Sequence, residues 1–434
     1  MDVSGLTIAI GFALLTYGAF KEWNIIAITI VAAVVMGLGI PDKSLLQVLE
    51  QTWQGGFGGF AASWVVVLCV SAYFAKIMED SGAAWRIGNT IINRFGHQAS
   101  LIMYVLVVTL LTYGGINCWT IIFVTLPIAR PIFEKGRIPW YLFPGILNVA
   151  VTFPLGIMPG ALQIQNIIPT KYLGTNLMSG FWEGMAGTAC FLAFNYLFFA
   201  YEIRKGRAKG ALEEKYGRPE NTDEQVACFA RFEEKAPGFW LALAPIVLSV
   251  VLVNGFNVNV IYAVAAGCVC AMALFGKSMA SPAKTLNDGF MDGIVPLALV
   301  GALIGFGKVV SLTPAFAAVK EWLFALPIGG AAKVVVIESV VAAITGSATG
   351  ALTMALDMFA KDFLTWGMDP GTIHRLIVTA SLGFDTTPWN AFAILTFSMA
   401  GVSMAKGYWH VFVASVIAPL LACIPIYLVG MLVH

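Results

Sequence analysis

Charge is what this sequence has least of. Only 11% of its 434 residues are Asp, Glu, Lys or Arg, and 16 of those 49 fall within one stretch, Glu202–Lys235. A soluble globular chain carries about 25%, so the other 400 positions cannot furnish a water-facing surface. A soluble enzyme and a nucleic-acid binder are thereby excluded, and a net charge of +1 offers nothing to a polyanion. Histidine is scarce too: four residues, at 97, 374, 410 and 434, lie near the ends of apolar runs, and there is no HExxH pair. Seven cysteines are scattered, mostly inside apolar runs, and Cys268-Val269-Cys270 has the wrong spacing for zinc. No metal, no other cofactor, no disulfide scaffold and no enzyme activity are expected. A GxxxxGK[ST] nucleotide loop is also missing, which leaves an ion gradient as the source of any driving force. The start, Met-Asp-Val-Ser-Gly-Leu, lacks the basic region of a signal peptide, so the first apolar run is expected to persist as a helix.

What is abundant is apolar length. Apolar runs cover 4–20, 24–41, 57–77, 100–133, 140–172 and 179–201, then 238–254, 257–276, 292–312, 330–364, 371–403 and 408–430. Many approach the roughly 20 residues that cross about 30 Å of hydrocarbon. This predicts an all-α polytopic protein embedded in a lipid bilayer. The polar stretch 202–236 reads as a linker between two halves, 1–201 and 237–434, which match at an offset near 230. Gly56-Phe57 and the apolar run to Lys76 correspond to Gly289-Phe290 and the run to Lys308. An amphipathic stretch follows in each half, at 82–97 and 314–326, with the pattern of a helix lying at the interface.

Four segments are interrupted. The runs 100–133 and 330–364 are too long for one crossing and carry polar clusters at their middles, so each is expected to be a re-entrant hairpin. The runs 140–172 and 371–403 break at Met158-Pro159-Gly160 and at Asp385–Asn390. Unwound backbone at membrane depth persists only where protein or a water-filled cavity satisfies it. The expected plan is two inverted repeats of five transmembrane helices each, plus a re-entrant hairpin and a broken helix per repeat. The scaffold helices fall at 1–77 and 238–312. With the linker in the cytoplasm and both termini outside, 18 of the 25 Lys and Arg face the cytoplasm, the sense favoured by the positive-inside rule. Lys308, Lys333, Lys361 and Arg375 are among the seven placed outside.

The chemistry is expected at the interruptions. A helix N-terminus offers free N–H groups and about half a positive charge, a ready site for an anion. The tips read Tyr113-Gly114-Gly115-Ile116-Asn117-Cys118-Trp119-Thr120 and Thr345-Gly346-Ser347-Ala348-Thr349-Gly350, without Lys or Arg. Gly115, Asn117, Thr120, Thr345, Gly346, Ser347 and Thr349 are therefore binding candidates, with Gly160, Gln163, Thr386, Thr387 and Asn390 from the breaks. Gln165, Asn166 and Thr170 add to the unusual polarity after Pro159-Gly160. Asp385 has two readings, a proton carrier or an N-cap of the half-helix that follows it. Glu338 and Asp357 are further proton-coupling candidates, or structural partners of Lys333 or Lys361. Glu183 is expected near an interface, and Asp288 and Asp292 beside a helix start.

A family resemblance becomes visible at these residues. Pro159-Gly160-Ala161-Leu162-Gln163-Ile164-Gln165-Asn166-Ile167-Ile168-Pro169-Thr170 resembles the PGTPQIQN-IPT segment of permeases related to the gluconate:proton symporters, the GntP family. Gly58–Arg86, the tip Ile344–Gly350, Asp369-Pro370 with His374-Arg375, and Asp385–Asn390 are similar to other elements of that family. Trp389 stands where family members usually carry His, and Ala391 where many have Gly.

The resemblance implies a bacterial inner-membrane homodimer that imports a small hydroxy- or sugar-acid monocarboxylate, gluconate-like or 3-hydroxybutyrate-like, together with protons. It also implies an elevator-type plan with a scaffold and a mobile domain. Bringing a monoanion into an inside-negative cell costs about 2.3 kcal/mol per 100 mV, and one co-transported cation cancels that. A sodium-coupled carboxylate or amino-acid symporter and a passive anion channel are the alternatives. Trp119 and Trp389 are expected to shrink the pocket toward shorter acids than gluconate.

Overall fold

The computed structural model describes residues 4–21, 23–95, 100–116, 121–122, 125–126, 129, 132–133, 136–208, 231–256, 258–345, 347–387 and 390–434. Asn117, Thr120 and Gly346, with Trp119 and Trp389, lie outside them. The described residues form helices and turns, with no strand among them. In the first half the helices are α1 (Ser4–Phe20), α2 (Ile25–Gly37), α3 (Leu45–Asp80), α4 (Ala83–Phe95), α5 (Ser100–Tyr113), α6 (Trp140–Leu155), α7 (Ile164–Leu173) and α8 (Phe181–Ala208). The second half contains α9 (Phe239–Phe256), α10 (Val260–Phe275), α11 (Pro282–Ser311), α12 (Pro314–Ala325), α13 (Gly330–Thr345), α14 (Ala348–Phe363), α15 (Pro370–Gly383), α16 (Ala391–Ala400) and α17 (Met404–Val433). Six of the described helices, α3, α8, α9, α10 with its following turn, α11 and α17, are long and apolar enough to cross a bilayer. Their outward faces carry large apolar side chains such as Trp240, Tyr262 and Leu432, which suit lipid rather than water.

Two antiparallel pairs organise the molecule. Along α3 and α11, Trp53 meets Gly305, Phe57 meets Gly301, Cys69 meets Gly293 and Tyr73 meets Gly289. The backbones touch because the residues between them are glycines: a Cβ on Gly293 would stand 2.6 Å from the Cys69 Cα. Small residues at such spacings are how helices associate in lipid, where no hydrophobic force brings them together. Likewise α8 and α17 run antiparallel, with Gly187 against Ile426 and Glu202 against His410. Each pair joins one helix from 1–208 with one from 239–434.

Contacts along the two long interrupted runs bring separated parts of each together. Gly330, at the start of α13, packs on Trp366, just past the end of α14, so the two ends of this run lie together. In the first half Tyr104 on α5 donates to the Thr125 hydroxyl at 3.4 Å and meets the Phe133 ring at 6.2 Å, which folds that run back as well.

The structure corrects the reading in three places. α3 begins at Leu45, well before the apolar run at 57–77, because Ser44 and Gln47 form a reciprocal capping box. α11 begins at Pro282 with Ser281 as its cap, so Asp288 and Asp292 lie inside the helix rather than beside its start. Arg375 is fully buried and does not face the outer surface, for reasons that belong to the site.

Candidate functional site

The first break is a loop held from several sides. The Gln163 carboxamide donates to the Thr112 carbonyl and, at 3.1 Å, to that of Ile116, so it braces the C-terminal end of α5 and the turn beyond it. The Leu162 N–H donates to the Tyr113 carbonyl at 3.2 Å, and the Tyr113 hydroxyl to the Pro159 carbonyl at 3.0 Å. Gly160 adopts φ +81°, which a side chain would strain; its carbonyl accepts from Asn254 at 3.0 Å.

Behind this loop lies Arg375 of α15. It donates to the carbonyls of Gly156, Leu177 and Ser179, each at 2.7 Å, and to the Asn166 side-chain oxygen at 2.9 Å. His374 adds contacts to Thr175 at 2.8 Å and Asn166 at 3.0 Å. Unwound backbone deprived of water must find partners in the protein. A planar guanidinium with five donors satisfies several carbonyls at once. That is why a charge counted as external sits in the core.

The second break uses a carboxylate. Asp385 Oδ1 accepts from the Ala348 N–H at 2.9 Å and from Asn390 Nδ2 at 3.2 Å. Asp385 thus caps α14, the second arm of the hairpin, whereas the half-helix that follows the break, α16, is capped by Asn390, which accepts from Ala393 at 2.8 Å. The N-cap reading named the right chemistry and the wrong helix. The start of α14 is completed by Ser347, whose hydroxyl accepts from Gly350 at 3.3 Å.

All four interruptions meet the α3–α11 pair around a cavity of about 240 Å³. Its polar wall comprises Gly115, Gln163, Gln165, Ser347, Thr349, Asp385 and Asn390; its other wall is Ser71 with apolar side chains of α3 and α11 such as Val67 and Leu299. No Lys or Arg lines it among the described residues. The volume falls below the roughly 300–1,000 Å³ typical of drug-sized ligands, so it suits a small solute. A larger groove of about 450 Å³ lies between α5, α6 and α8, but its lining is apolar apart from Thr109, Asn195 and Tyr196 and offers a polar solute almost nothing.

Other expected residues lie away from the cavity. Thr386 and Thr387 are buried beside Asp385, their hydroxyls without partners among the described residues. Thr345 ends α13, and Gly160 faces Tyr113, Met178 and Asn254. Asp357 forms an ion pair with Lys308 of α11 at 2.5 Å, not with Lys333 or Lys361. Glu338 is fully buried, and neither carboxylate oxygen has a partner among the described residues. Glu183 is also buried, accepting from the Thr372 hydroxyl at 3.0 Å and facing His434 at 3.2 Å. Gln165 was noted only for its polarity, and Ser71, on an apolar run, gave no signal at all.

The fold of this helical chain has counterparts among solved structures. Over 98% of both chains it superposes on the YdaH transporter of Alcanivorax borkumensis, with a TM-score of 0.60 at 14% identity. The match to MtrF of Neisseria gonorrhoeae, whose structure is described as illuminating a class of antimetabolite efflux pumps, has a TM-score of 0.57 at 12% identity and covers 95% and 94% of the two chains. At such identities the likeness is one of fold. By sequence the chain is 26% identical to the Bacillus subtilis (strain 168) transporter YxjC over 97% of this chain and 98% of that one. It is 33% identical to the Gnt-II system L-idonate transporter of Escherichia coli (strain K12), over 41% and 40% of the two chains. It is 24% identical to a high-affinity gluconate transporter of the same strain, over 66% of each. Residues 1–431 match the description of the GntP family permease. With the broken segments, the cavity and the full-length match in agreement, the chain belongs to the GntP family and is a membrane permease, not an enzyme.

Proposed function

We propose that this permease is a secondary active transporter that imports a small organic monocarboxylate, a gluconate-like or 3-hydroxybutyrate-like hydroxy or sugar acid, together with protons. The observation that carries the reading is the cavity: polar groups from both hairpins and both breaks, one carboxylate, Asp385, and no basic side chain among the described lining. An incoming carboxylate and an ionised Asp385 would share a small space and repel one another. A proton on Asp385 removes that repulsion and cancels the charge moved across the membrane, so binding of the two cargoes is coupled.

The antiparallel pairing of α3 with α11 and of α8 with α17 supports two inverted repeats, 1–201 and 237–434, joined by a cytoplasmic linker at 202–236 into whose first residues α8 continues as far as Ala208. Five crossings, a hairpin and a broken helix in each repeat fit this arrangement. Both termini then lie outside the inner membrane. The cavity lies where α3 and α11 meet the hairpins and broken helices, the seam along which an elevator-type movement would carry substrate, with α1–α3 and α9–α11 as the scaffold of a homodimer. Sodium is the second reading for the coupling ion. It is favoured by the unpartnered hydroxyls of Thr386 and Thr387 beside Asp385, since oxygen ligands at a broken helix suit it.

The test is uptake into proteoliposomes of a panel of small carboxylates, gluconate and 3-hydroxybutyrate first, with an inward proton gradient, an inward sodium gradient, or neither. Accumulation above equilibrium with protons alone is expected. Accumulation only with sodium selects the second reading, and equilibration without accumulation makes the protein a passive pore.

A further inference from the structure

We infer that the substrate's carboxylate is held at the start of α7, by the N–H groups of Ile164 and Gln165 together with the Gln165 carboxamide, and that this carboxamide selects an acid bearing a hydroxyl near its carboxylate. The inference rests on the proposed function and assigns atoms to it.

Among the described residues three helix starts face the cavity region, and two are taken. At α14 the Ala348 N–H is engaged by Asp385, the Gly350 N–H by the Ser347 hydroxyl and the Ala351 N–H by the Ser347 carbonyl. At α16 Asn390 caps Ala393. The start of α7 has no side-chain cap, because Gln163, its N-cap residue, is turned away to brace Thr112 and Ile116. The Gln163 carbonyl accepts from Asn166 and Ile167. That leaves the first two N–H groups of α7, those of Ile164 and Gln165, for a ligand, and both residues line the cavity.

The second observation is the Gln165 side chain. It is only 9% exposed, it lines the cavity, and its oxygen is buried without a hydrogen-bond partner among the described residues. A buried unpaired acceptor is costly unless a ligand completes it. A carboxamide carries two donors and an acceptor side by side, and rotation about its last torsion exchanges the two ends. Its N–H can meet one carboxylate oxygen while its oxygen accepts from a hydroxyl on the neighbouring or next carbon. A deoxy acid leaves that oxygen unpaired, and a site built around a substrate hydroxyl rejects the analogue that lacks it.

The experiment compares 3-hydroxybutyrate with butyrate as competitors of labelled 3-hydroxybutyrate uptake in proteoliposomes under a proton gradient. The wild type is expected to favour the hydroxy acid by about tenfold or more, and Gln165→Met, which keeps the volume and loses both polar ends, should bring the two within about threefold. Gln165→Glu keeps size and polarity but sets an anion at the start of α7. It should weaken both acids at least about tenfold. Wild-type discrimination in a monodisperse Gln165→Met protein, unchanged inhibition in Gln165→Glu, or a wild type indifferent to the hydroxyl would overturn the assignment. Failure of the wild type to take up any carboxylate is a separate result: it removes the proposed function first and this inference with it.

Discussion

In the first half of the molecule, Gln163 reaches from its break to the carbonyls of Thr112 and Ile116 at the end of α5. In the second half, Asp385 reaches from the corresponding break to the Ala348 N–H at the start of α14. Each break thus braces the hairpin of its own half, one by giving hydrogen bonds to a helix C-terminus and the other by taking one from a helix N-terminus. The difference follows from which end of which hairpin arm is presented. A neutral donor suffices for carbonyls, whereas an N-terminus with partial positive charge is best met by a carboxylate. The outcome is a division of labour. Among the described residues the titratable carboxylate lining the cavity belongs to the second half, and the uncapped helix start to the first.

The largest effect should come from removing the charge on the second side. Asp385→Asn keeps an oxygen for the Ala348 N–H, so the variant should fold and still exchange substrate between the two faces of the membrane. One co-transported proton is worth about 1.4 kcal/mol per pH unit, or tenfold in accumulation. Under an inward gradient of about one unit, concentration of substrate should fall by about that factor, to the equilibrated level. Accumulation measured with and without the gradient checks this. A variant that keeps the wild-type gradient dependence leaves Asp385 as a cap and nothing more.

On the first side the same kind of change should damage structure rather than coupling. Gln163→Leu leaves the buried Ile116 carbonyl without its side-chain donor and the Thr112 carbonyl with the Gly115 N–H alone, at a total cost of about 1–3 kcal/mol. Thermal unfolding of the detergent-solubilised protein should move down by about 2–6 °C, with proton dependence retained. The Asp385→Asn protein, whose brace survives, should stay near the wild-type temperature. If the two variants exchange these signatures, the contrast between the breaks is wrong.

Much of this arrangement was legible because the bilayer makes interruptions conspicuous. Pro159-Gly160 and the polar run Asp385–Asn390 stand out in apolar stretches, and two runs of about 34 residues cannot be single crossings. What pattern could not supply was direction. Gln163 and Gln165 are the same residue type two positions apart and both line the cavity, yet the carboxamide of one is spent on the end of α5 while the oxygen of the other has no partner among the described residues. Arg375 registered as a surface charge because a hydropathy count cannot see three carbonyls and an asparagine closing round it. Of the two readings of Asp385, proton carrier or cap, the cap points to the helix next in sequence, whereas the N–H it meets lies 37 residues earlier. Proximity across the fold, not residue chemistry, separated the expectation from the structure in each case.

The comparison extends to the lysines that end the matched runs. Lys76 pairs with Glu79 and Asp80 of its own helix, both at 3.3 Å, whereas Lys308 crosses from α11 to Asp357 on the second hairpin. The crossing pair is partly exposed, Lys308 by 42% and Asp357 by 25%. It should therefore add no more than about 1 kcal/mol to stability, and Lys308→Met should scarcely move the unfolding temperature. If the hairpin slides along α11 in each transport cycle, however, the pair must open each time. Removing it should then raise the turnover rate by up to about fivefold, the rate equivalent of 1 kcal/mol. Exchanging the charges, Lys308→Asp with Asp357→Lys, should restore the slower wild-type rate, which a simple loss of packing would not do. Equal slowing in the single and exchanged variants would mean that the hairpin and α11 travel together, and the seam between moving and fixed parts would have to be drawn elsewhere.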